Sequence, residues 1–140
     1  MKREKRKDRY KLRISRRETL YVDDEPEHTV TLVEMVGKPI DYKPGIAGEF
    51  ISRRSISIQD QLRGSGSIHG YVMANFKHGS VYSRFEGQRD GTTKTTVGTW
   101  KTYRGTGKVA DIEGEGTFKV TSGKNRGEFI LEFEGEYEVA

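Results

Sequence analysis

Apolar and polar residues alternate along much of this chain, and the last stretch shows it best. From Glu128 to Val139, Phe129, Leu131, Phe133, Tyr137 and Val139 share one parity, with Gly135 among them. Glu128, Glu132, Glu134, Glu136 and Glu138 share the other, broken only by Ile130. Period two sends the two sets to opposite faces of a sheet. Burying five carboxylates would be prohibitive, so the glutamate face meets water or a basic partner.

The same reading repeats upstream. His28 to Met35 is rich in β-branched residues and free of breakers. A loop follows from Lys38-Pro39 to Pro44-Gly45, whose prolines cannot donate to a ladder. Glu49 to Gln59 is a strand with Phe50, Ile56 and Ile58 among alternating polar residues. Ser67–Phe76 and Ser80–Glu86 form a hairpin about Lys77-His78-Gly79. Gly87 to Gly91 turns the chain, and Thr92 to Tyr103 follows with the single tryptophan, Trp100. After a loop over 105–111 comes a strand from Ile112 to Val120, a turn over 122–127, and the final strand. About seven short strands with no amphipathic helix between them predict an all-β domain, a closed up-and-down antiparallel barrel of about eight strands or a sandwich, with the barrel expected. Glycines inside the strands (Gly70, Gly98, Gly114, Gly116, Gly135) suit the sharp coiling of a barrel wall.

Charge divides the chain. Residues 1–17 hold ten Lys or Arg against Glu4 and Asp8, about +8, so a total of +4 leaves about −4 for the remainder. The expected organisation is therefore a basic N-terminal arm and lead-in over 1–26 and a barrel over 27–140. The arm shows no clean period. It would be a solvated tail or dock on a neighbour's glutamate face, with nucleic acid or an anionic membrane as the less favoured partner. Cysteine is absent, which excludes disulfides, thiolate metal sites and a cysteine nucleophile. No apolar run reaches the length of a membrane-spanning helix and no secretory leader is present, so a cytoplasmic protein is expected.

Chemistry-bearing patterns are few. Gly105-Thr106-Gly107-Lys108-Val109-Ala110 fits a dinucleotide fingerprint only as a string, because no helix follows to face a pyrophosphate. His28, His69 and His78 lack metal-ligand spacing. No cofactor or metal is expected. Glu34 offers two readings. If Val30 and Leu32 face the core, Glu34 joins them, and an apolar setting would raise its pKa toward acid–base use. If Val33 and Met35 define the core face, Glu34 is solvated. The 71–86 hairpin poses a similar choice. Val72, Ala74, Phe76, Val81, Ser83 and Phe85 form one face. Tyr71, Met73, Asn75, Tyr82, Arg84 and Glu86 form the other, either outer surface or ligand-lining wall.

The run Val97 to Phe118 contains Gly98-Thr99-Trp100-Lys101, then Gly105-Thr106-Gly107-Lys108, then Gly114-Glu115-Gly116-Thr117-Phe118. It resembles the allene oxide cyclase-like, or dirigent-like, barrel superfamily and its small bacterial members. The resemblance is firmest over 97–118 and extends over 28–139 through strand order. It implies a barrel with an apolar pocket at one mouth that binds an apolar small molecule and steers its cyclisation or isomerisation without a cofactor, often as a homo-oligomer. It also implies a catalytic role for Glu34, matching a glutamate in the first family strand. Arg84 would then meet an anionic group, with Tyr71, Tyr82, Phe129, Phe133 and Tyr137 as ligand-binding wall. The alternative is a non-catalytic binding or assembly module, whose mark would be a barrel filled by its own side chains.

Overall fold

The computed structural model describes all residues 1–140. Eight antiparallel strands follow one another around a closed barrel in chain order. They are β1 (Lys2–Tyr21), β2 (His28–Ile40), β3 (Phe50–Leu62), β4 (Ser65–Phe76), β5 (Gly79–Asp90), β6 (Thr95–Gly105), β7 (Glu113–Ser122) and β8 (Glu128–Val139). The single helical element is a 3₁₀ turn at Gly107–Val109.

The basic N-terminus is a correction to the sequence reading. It is no arm: β1 is the longest strand, and it closes the barrel. Lys2 to Arg13 pair with β8, and Arg9 to Tyr21 pair with β2. Its even positions Tyr10 and Leu12 are buried in the core. Its odd positions face the glutamates of β8, register partner to register partner: Arg3 opposite Glu138, Lys5 opposite Glu136, Lys7 opposite Glu134, Arg9 opposite Glu132. Arg3–Glu138 at 3.8 Å, Lys5–Glu136 at 3.7 Å and Lys11–Glu128 at 3.3 Å close as ion pairs. The basic partner of the glutamate face is the chain's own first strand. Opposite charges directly across an antiparallel pair favour this register.

The two ends of the barrel differ. At one end the loop over 41–49 and the segment over 106–112 fold across the opening. Val109 is fully buried there, packed with Val81, Ile112 and Val139 and flanked by Ile46, Ala47 and Phe76. Gly107 adopts φ 59° and lies against the His78 carbonyl, where a side chain has no room. Inward residues of β1 brace this plug. Arg6 grips Asp8 through two hydrogen bonds of 2.9 and 3.0 Å, donates to the Lys43 carbonyl at 2.8 Å and lies over the Tyr42 ring. The opposite end, ringed by the β1–β2, β3–β4, β5–β6 and β7–β8 turns, is open.

The core is a lining. Tyr10, Leu12, Trp100, Phe118 and Leu131 form its buried cluster. Trp100 fits because Gly116 and Gly135 stand beside it: a Cβ on either would come within 2.7 or 2.6 Å of the indole. Gly116 of β7 and Gly135 of β8 therefore make room for a tryptophan on β6, while Gly114 of β7 does so for Tyr137. Charged side chains cross the middle of the outer wall on β1 and β8, the reverse of a membrane barrel, whose outward band is apolar. No helix is long and apolar enough to cross a membrane.

Candidate functional site

The barrel encloses a cavity of about 590 Å³, reached from the open end. Its floor is aromatic. Tyr10 meets Phe50 and Phe133 with ring centroids 5.7 Å apart in each case, and Trp100 lies tilted against Tyr137 at 5.2 Å. Above the floor, apolar wall comes from β1, β2, β4, β5, β7 and β8, including Ile14, Met35, Val72, Phe85, Val120 and Phe129.

β3 breaks the pattern. Its inward residues are Arg53, Ser55, Ser57, Gln59 and Gln61, all polar. Ile56 and Ile58, the apolar positions of the same strand, pair across to Glu34 and Leu32 on the outer surface, and Ile58 is 42% exposed. The cause is a bulge. Phe50 points into the core, but the register shifts between Phe50 and Ser52, and the added residue inverts every later position. Parity alone groups Phe50 with Ile56 and Ile58; the bulge separates them.

Arg53 is the most unusual group of the lumen. Its guanidinium lies 5.4 Å over the Tyr10 ring, a cation–π arrangement. Its Nη1 is out of contact with water and has no hydrogen-bond partner. Nη1 is sealed, but the residue as a whole keeps some exposed surface. No carboxylate offsets it: burial pulls its pKa down to about 10, opposed only by Tyr10 and Tyr137. At neutral pH the group is still a cation. Burial pushes the Tyr10 and Tyr137 hydroxyls well above the ordinary phenol range, so both stay protonated and keep an O–H to donate. Toward the mouth the lining turns polar with Thr19, Thr31, Gln59, Gln61, Arg17 and Arg89.

Of the residues singled out from the sequence, the structure brings Phe129, Phe133 and Tyr137 together on the lumen wall. It puts the others outside. Val33 and Met35 face the lumen, so Glu34 faces out. There Arg54 Nε donates to it at 2.6 Å and Ser15 Oγ at 2.8 Å, and these hold its carboxyl below the usual range. Such a carboxylate is a surface anion and not a buried acid. On the 71–86 hairpin, Val72, Ala74, Val81, Ser83 and Phe85 line the lumen. Tyr71 is 58% exposed and packs edge-on against Tyr103. Tyr82 lies under the Arg104 guanidinium, and Arg84 is exposed on the same outer wall. Sequence reasoning missed Arg53, Tyr10 and the polar row of β3. Their signal was present as alternation, but nothing in alternation says which parity points inward.

The histidines stay apart, and no group of acidic or histidine side chains could hold a metal ion. His28 bridges Asp24 at 2.6 Å and Asp60 at 2.7 Å, tying the β1–β2 turn to β3 at the open rim. No protein-family model matches the chain, and no curated protein matches it.

Proposed function

We propose that this barrel is a small-molecule-binding protein that takes an apolar ligand into its lumen without a cofactor. The observation that carries the reading is the unfilled interior. About 590 Å³ lies open at one end and is lined mostly by hydrophobic side chains, the size and character of a ligand pocket. A barrel meant only as an assembly module has no need of such a void, and close packing is the rule for protein interiors. The resemblance of residues 97–118 to allene oxide cyclase-like barrels supports the same reading. Steering of a cyclisation or isomerisation is its finer form. Glu34 takes no part in that form, because it lies on the other side of the wall. The groups able to polarise a bound oxygen are the Arg53 guanidinium and the hydroxyls of Tyr10 and Tyr137.

The test is titration with N-phenyl-1-naphthylamine, a neutral dye that brightens in apolar sites. Saturable binding by the wild type is expected, and its loss in Val72→Trp, which fills the lumen from β4. Equal binding by a folded Val72→Trp protein would place the dye elsewhere and sink the reading.

A further inference from the structure

We propose that the ligand is an amphipathic carboxylate held with its head down, its carboxylate on Arg53 near the floor of the cup and its apolar tail along the wall toward the mouth. This rests on the reading of the lumen as a ligand site and adds the chemical class and orientation of what occupies it.

Three observations converge. First, Arg53 carries a charge inside the barrel with one nitrogen unpaired, although the chain has carboxylates in plenty on its outer wall. An isolated buried cation is costly, and an anion placed beside it removes most of that cost. Second, the surroundings admit one oxyanion and little else. The guanidinium is braced on the Tyr10 ring. Nη1 is sealed, so the guanidinium meets an anion through its other N–H donors, and the Nε–Nη2 edge of an arginine carries two parallel donors that suit a carboxylate. A phosphate dianion would need further cations at the same depth, and none lines the floor. Third, the position decides the orientation. Met35, Val72, Phe85, Val120 and Phe129 of the other strands give an apolar wall between the level of Arg53 and the polar rim, so a tail bound above the head stays out of water. Binding the head at the rim arginines, Arg17 and Arg89, would instead bring the tail down onto an unpaired guanidinium.

The experiment is competition against bound N-phenyl-1-naphthylamine by dodecanoate, dodecanol and dodecyl phosphate. Dodecanoate is expected to displace the dye about tenfold or more better than dodecanol from the wild type, the range of a charge-assisted hydrogen-bonded pair. In Arg53→Met that ratio falls to about one while the dye still binds. Arg53→Lys keeps the charge but not the fork and retains part of the preference, and it serves as well if Arg53→Met does not fold. Arg17→Met/Arg89→Met keeps the full ratio. Equal displacement by acid and alcohol in the wild type would overturn the proposal. So would a preference that survives Arg53→Met and disappears with Arg17 and Arg89. Stronger displacement by dodecyl phosphate than by dodecanoate would overturn the carboxylate class. A wild type that fails to bind the neutral dye at all defeats the lumen reading itself, so the two failures are separable.

Discussion

β8 and β3 line the same lumen by opposite rules. β8 turns Phe129, Leu131, Phe133 and Tyr137 inward and its glutamates outward onto the basic face of β1. β3 turns a guanidinium, two hydroxyls and two carboxamides inward and leaves Ile58 42% exposed. The first arrangement is what stability alone would choose, since it buries apolar area and pairs charge. The second loses apolar burial on both faces. It is tolerable only where the inside of the wall meets solvent or a ligand, which is how an open cup differs from a sealed core. The contrast separates the strands that hold the barrel shut from the strand that gives its interior a polar handle.

The largest way to break the comparison is to remove what β8 leans on. Deleting residues 2–17 takes away most of β1, unpairs β8 and opens the sheet. Loss of the cooperative thermal transition and aggregation on gel filtration are expected, where a mere tail would leave the melting temperature unchanged. Next comes a matched pair of truncations. Leu131→Ala, on the inner face of β8, should cost about 3 kcal/mol by urea denaturation. Ile58→Ala, on the outer face of β3, should cost less than about 1 kcal/mol. Similar costs would erase the distinction between the walls. Third, Arg53→Met should leave the empty protein as stable as the wild type or more so, by about 1–2 kcal/mol, because it removes an uncompensated buried cation. A clear loss of stability would mean that Arg53 is structural.

The smallest effect lies at the open rim. Hydrogen bonds to Asp24, and then to Asp60, raise the His28 pKa above its ordinary value of 6.5. A group raised in the folded state stabilises fully below its unfolded pKa and loses that contribution as pH climbs through the folded value. The melting-temperature difference between wild type and His28→Asn should therefore shrink as pH rises from about 6 upward past the raised value. A constant difference across that range would show that the clasp is not ionic.

Much of the architecture could be read directly. The alternation in 128–139 identifies a strand with one wet and one greasy face, and the 67–86 hairpin shows the same clearly. Glycines at 114, 116 and 135 point to a coiled wall, though only the structure reveals that Gly116 and Gly135 make room for Trp100. β1 was harder, since an inward set of Glu4, Arg6 and Asp8 hides the period. The polar wall of β3 was hidden behind a one-residue bulge.

Local sequence determined that this chain makes strands, where most of them turn, and that β8 needs a counter-charge. Period-two spacing follows from backbone geometry and needs no partner to be recognised. Closure by β1, the inward parity of β2 and β3, and the placing of Arg53 in the lumen and Glu34 outside were decided only in three dimensions. Two faces of a strand are equivalent until its neighbours curve one of them inward, and one inserted residue exchanges them.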